Sequence, residues 1–127
     1  MANGFWVRVE QPEKFLKKDK EILKDTINCY FDNHKNLKER AKKVEIKAGR
    51  VYLYEYFEVD ANSGTIIKPL IEGKYLEMPF ARITIYDKQY EKCSAEYQQY
   101  NGKWFTILEG SLNNCIKYIA ENEGTFN

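Results

Sequence analysis

Hydrophobic spacing switches from helical to alternating near residue 44 of this 127-residue chain, and that switch constrains the fold more than any motif does. In the first third, side chains recur at three- and four-residue steps. Phe15, Leu16, Asp19, Ile22, Leu23, Thr26, Ile27, Tyr30, Phe31 and His34 form that stripe. Lys14, Lys17, Lys18, Lys20, Lys24 and Asp25 fill much of the other side. The spacing predicts a long amphipathic helix over about residues 12–35, with Pro12 in its first turn. Asn33 and Asn36 offer places to end or restart it, and Leu37 and Ala41 allow one or two further turns.

From residue 44 the period is two. Val44, Ile46, Val51, Leu53, Phe57 and Val59 alternate around Ala48-Gly49, which reads as a hairpin turn. Further strands are expected over residues 50–60, 65–72 and 75–87. Pro69 marks an edge or bulge and Pro79 a bend. Asn101-Gly102 joins a hairpin of residues 92–100 and 103–109. Phe5 to Val9 reads as a short opening strand. Ser111 is placed to cap a short helix over 112–122, with Gly124 as its stop and 125–127 as a loose tail. Consecutive meander strands flanked by helices predict an α+β fold. A long N-terminal amphipathic helix lies on a twisted antiparallel sheet of five to six strands, with a short C-terminal helix, in one domain spanning 1–127.

The formal net charge is only +1, but it is unevenly spread. Residues 35–50 hold seven Lys/Arg against two Glu, whereas residues 51–127 hold seven against eleven Asp/Glu. No apolar run reaches the roughly 18–20 residues that span a bilayer. The N-terminal residues lack the basic and apolar regions of a secretory signal. Three cysteines without a CxxC pair fit neither a disulfide framework nor a zinc site. A cytoplasmic protein without cofactor or metal is the expectation. Rich Lys, Asn, Ile and Tyr usage with four Arg suits a low-GC bacterium, phage or mobile element.

Two stretches stand out as binding candidates. Tyr52, Tyr54 and Tyr56 alternate on one face of a strand, opposite Val51, Leu53 and Phe57, with Glu55 interrupting the apolar side. Such a stripe packs across neighbouring strands or meets a partner, and Tyr86, Tyr90, Tyr97 and Tyr100 could extend it. A homodimer would use the same face. The second stretch is basic, with Lys38, Arg40, Lys42, Lys43, Lys47 and Arg50. It reads first as a solvated helix end and guarded strand edge, then as a weak nucleic-acid footprint. The acidic remainder, including Glu55, Glu77, Glu96 and Glu109, could face a basic partner.

Catalytic constellations are sparse. Glu45 with Lys47, and Glu72 with Lys74, each supply an E-x-K pattern. With Asp60, the second copy resembles the PD-(D/E)xK nuclease superfamily at three residues, though no proline precedes Asp60 and the covering βαβ topology is missing. That resemblance implies a divalent-metal site on Asp60 and Glu72, with Lys74 orienting water. His34 with Cys93 or Cys115 is the available Cys–His pairing. Cys29 and Cys115 are expected to be buried beside apolar stripes, and Cys93 to be more exposed.

The leading expectation is a small non-enzymatic binding protein. It would be an inhibitor or immunity-type protein that blocks a partner macromolecule sterically, and a protein partner fits best. The alternatives are a small-ligand or nucleotide binder with Arg50 or Arg82 in a pocket between helix and sheet, a metal-dependent nuclease, and a nucleic-acid binder through residues 35–50.

Overall fold

The computed structural model describes residues 12–58 and 74–126. Helix α1 spans Lys17–Phe31 and α2 spans Lys35–Arg40. Five strands follow: β1 Lys43–Lys47, β2 Arg50–Glu58, β3 Tyr75–Ile85, β4 Cys93–Gln98 and β5 Trp104–Gly110. Helix α3 spans Leu112–Glu121, and a 3-10 turn, Glu123–Phe126, ends the described chain. The strands pair antiparallel in chain order, β1-β2-β3-β4-β5. This is an α+β fold built on a five-stranded antiparallel sheet. The expected strands at 5–9 and 65–72 lie outside the described residues. No helix among the described residues is long and apolar enough to cross a membrane.

The first helix is shorter than its periodicity implied. Residues 12–16 precede the helix because the Glu13 amide donates to the Ile85 carbonyl at 2.8 Å, which ties this segment to the end of β3. Pro12 is therefore not in a helical turn. Asp19 then accepts from the Leu16 amide at 3.1 Å and starts α1 one turn later. Asp32 and Asn33 interrupt the helix before Lys35 restarts it. Leu23, Ile27 and Phe31 are the buried stripe of α1, whereas Leu16 and Ile22 face solvent.

The core lies between the helices and one face of the sheet. Val51, Leu53, Ala81, Ile83, Ile85, Cys93 and Ala95 form its sheet side. Leu112, Cys115, Ile116 and Ile119 of α3 meet them, and α3 also touches α1 and α2. The Ser111 hydroxyl caps α3 by accepting from the Asn114 amide at 3.1 Å. The tail is not loose: Phe126 is buried, and Arg40 donates to its carbonyl and to that of Glu123.

Two turns and two bulges set the register. Ala48 and Gly49 both have positive φ, 47° and 79°, so Lys47 and Arg50 close a two-residue hairpin. Gly102, at φ 88°, closes the β4–β5 turn, its amide donating to Gln99 at 2.8 Å. Pairing slips by one residue at Phe80, and again at Ile107. A bulge sets two successive side chains on one face. Phe80 and Ala81 are accordingly both in the core, and Ile107 and Leu108 both pack against it.

Candidate partner-binding face

The sheet face turned away from the helices carries the candidate site. Cross-strand partners share a face, so the pairing register defines rows running across the strands. One row reads Glu45, Tyr52, Arg82, Glu96 and Thr106. The next reads Lys47, Arg50, Thr84, Ser94 and Glu109.

Arg82 is the centre. Its guanidinium lies 4.7 Å from the Trp104 ring centroid and 5.8 Å from that of Tyr52. The two rings meet edge to face at 6.0 Å. Arg82 Nε donates to Glu96 Oε1. Glu96 is only 5% exposed, and it accepts three further contacts from neighbouring hydroxyls. Thr84 Oγ1 reaches its two oxygens at 3.1 and 3.0 Å, and Ser94 Oγ reaches Oε2 at 2.8 Å. Tyr86 bonds to Ser94, and burial pushes its phenol upward from the ordinary tyrosine range. A buried carboxylate this well supplied fixes the Arg82 fork and hence the two rings stacked on it.

Tyr54 and Tyr56 continue the aromatic surface. Tyr54 donates to Glu45 Oε1 at 2.9 Å, and Tyr56 stacks on Tyr75 with centroids 6.0 Å apart. Burial, and then the Glu45 hydrogen bond, push the Tyr54 phenol up to about 12. Burial works to raise the Glu45 carboxyl, but Tyr54, Lys47 and Lys43 outweigh it and hold the carboxyl below its usual range. Tyr52, Tyr54 and Tyr56 thus share one face, with Tyr86 bonded to Ser94 of that face. Tyr97 does not join them; it lies on the helix side against Phe105. Tyr100 stands fully exposed at the tip of the last hairpin.

The basic segment does not form one patch. Lys38 pairs with Asp32 at 2.7 Å. Arg40 turns to the helix side and grips Glu55 with two prongs, its guanidinium 4.0 Å from the Phe80 centroid. Lys43 and Lys47 bond Glu45 on the outer face, Lys43 also reaching Glu77 at 3.4 Å. Lys42 is exposed, and Arg50 lies in the second row with its Nε buried and without a hydrogen-bond partner.

The enzymatic candidates fare differently. Asp60 and Glu72 lie outside the described residues, and Lys74 begins the segment after them. Among the described residues no group of three or more His, Cys, Asp or Glu could hold a metal ion. The cysteine expectations are reversed at two positions. Cys29 is exposed, because it falls on the side of α1 opposite Ile27, and Cys93 is buried, because it faces the core at the start of β4. Cys115 is buried as expected. Burial pushes the Cys115 thiol up to about 12 and the Cys93 thiol higher still. The sheet face toward the helices carries the core side chains, and Arg82 stands on the opposite face.

No protein-family model, curated protein or solved structure matches this chain. The geometry alone therefore carries the reading of this face. Trp104 escaped the sequence reading as a site member, and Glu96 entered it only as part of the acidic remainder, because only the register joins them to Tyr52 and Arg82. A second concave feature also escaped it. A cleft of about 560 Å³ opens between Glu55, Phe57, Met78, Phe80, Gln98 and Tyr100. Phe57 there is 47% exposed.

Proposed function

We propose that this protein is a non-enzymatic binder of another protein, of inhibitor or immunity type, which covers its partner's functional surface with the outer sheet face. The observation that carries the reading is Arg82, held between Trp104 and Tyr52 by Glu96. Trp, Tyr and Arg dominate the energetics of protein interfaces. Holding them rigid before binding lowers the ordering cost on association. A cytoplasmic setting and a phage or mobile-element context belong to the same proposal.

The test is affinity capture from the native host, comparing the wild-type protein with Trp104→Ala. A protein retained stoichiometrically by the wild type and weakened at least tenfold by Trp104→Ala supports the reading. Absence of a stoichiometric protein, or equal retention by both forms, overturns it.

A second reading is favoured by one observation, the buried Arg50 Nε with no hydrogen-bond partner. It makes the same face a site for a small anionic ligand such as a nucleotide. Calorimetric titration with nucleoside triphosphates checks it: binding lost in Arg50→Gln supports it, and no heat removes it.

A further inference from the structure

Among the described residues, β1 is an edge strand of the sheet and no strand pairs with its outer side. The alternate N–H and C=O groups of such an edge point outward and can accept another strand. Beside this edge, α1 and β1 enclose a cleft of about 260 Å³. Val44 and Ile46 are its apolar floor, and Lys17, Lys20, Lys24 and Glu21 line its helical wall.

The three lysines follow helical spacing, so they share a stripe along the cleft. Among the described residues none of them joins an ion pair, whereas Lys38, Lys43, Lys47 and Lys88 each do. Their mutual repulsion is eased only by Glu21 within the lining. Pairing with β1 of a second copy would bring two such stripes together, so like charge opposes that occupant.

We propose that the β1 edge binds an extended acidic segment of a partner protein, which adds a sixth strand. Backbone hydrogen bonds to β1 supply pairing. Carboxylates at every second residue of the added strand turn to the helix side, over Val44 and Ile46, and meet Lys17, Lys20 and Lys24. This surface uses neither Arg82 nor Trp104, so failure here leaves the outer-face reading standing.

The probe is a capped ten-residue peptide alternating Glu and Thr, titrated into the intact protein at low salt. The expected result is binding that protects the β1 amides, including Val44 and Ile46, from hydrogen exchange. Affinity falls at least tenfold in the K17E/K20E/K24E variant. It is lost when alternate peptide nitrogens are methylated, a control that leaves the protein's own fold untouched. Absence of binding at millimolar peptide overturns the proposal. So does equal affinity for the Lys–Thr counterpart, or binding without protection of β1. Tighter binding of a ten-nucleotide single strand, weakened by the same lysine reversal, overturns it in favour of nucleic acid.

Discussion

Arg40 and Glu55 meet in a two-pronged ion pair, Nε and Nη2 each 3.0 Å from a carboxylate oxygen. The pair joins the end of α2 to the middle of β2, and the same guanidinium lies over Phe80 and holds the carbonyls of Glu123 and Phe126. Both side chains are mostly buried, so removing one strands the other. Arg40→Met keeps much of the contact with Phe80 but leaves the Glu55 charge unpaired. It is expected to destabilise the protein by about 2–4 kcal/mol, measured by urea denaturation. The double variant Arg40→Met/Glu55→Met is expected to recover part of that loss. A single variant as stable as wild type would show that the pair does not hold the C-terminal turn.

The two hairpin glycines differ in what surrounds them. Gly102 has φ 88°, but a methyl group there would find only Gln98 Nε2 nearby, at 4.0 Å. Gly102→Ala is expected to cost about 1–2 kcal/mol for the left-handed backbone alone. At Gly49 the φ is 79°, and a Cβ would lie 2.3 Å from the Glu13 carbonyl oxygen. Gly49→Ala is expected to cost at least twice as much, because residues 12–13 must move off the turn. Ala48, at φ 47°, already carries such strain, so Ala48→Asn is expected to raise stability. Equal losses at Gly49 and Gly102 in thermal melts would refute the close approach.

The thiols are expected to divide. Cys29 is exposed, whereas Cys93 and Cys115 are buried with their thiols held protonated. Ellman's reagent at neutral pH should titrate one cysteine quickly in the native protein and all three in urea. Fast reaction of Cys93 or Cys115 before unfolding would contradict their burial between α3 and the sheet.

Tyr54 and Glu45 make opposite pH predictions. The folded Tyr54 phenol is raised to about 12, from a reference of 10.0. Its contribution to stability is fully present below that reference and is lost as pH rises through about 12. Glu45 is lowered from 4.5, so its contribution is present above that value and is lost as pH falls through the folded one. Tyr54→Phe should remove one late-titrating tyrosine from the phenolate absorbance curve. It should also move the acid-side loss of stability to higher pH, since Glu45 loses its hydroxyl donor. Unchanged alkaline and acid limbs would sink the pairing.

Much of the framework was legible in local chemistry. Ala48-Gly49 and Asn101-Gly102 located both turns, Ser111 located the start of α3, and alternation placed Tyr52, Tyr54 and Tyr56 on one face. What escaped depends on contacts distant in the chain. The start of α1 is set by a backbone bond from Glu13 to Ile85, and the C-terminal turn is held by Arg40. Helical spacing near Phe15 and Leu16 carries no sign of either. The Arg82–Trp104 contact needed two strand registers, β3–β4 and β4–β5, and no local pattern announces the first of them. Arg82 was legible as a site residue but not the side of the sheet on which it stands.

Strand order that repeats chain order has a kinetic consequence. β1–β2 and β4–β5 close over short loops and can zip early, each at little entropic cost. Helices α1 and α2 have no such advantage, whereas α3 follows β5 directly and packs on β4 and β5. Glu13 reaches Ile85 across 72 residues, and Asn36 reaches the Ala120 carbonyl across 84. Docking of α1 and α2 is thus expected to come late on the folding path. Weakening those ties should leave the refolding rate nearly intact and quicken unfolding instead.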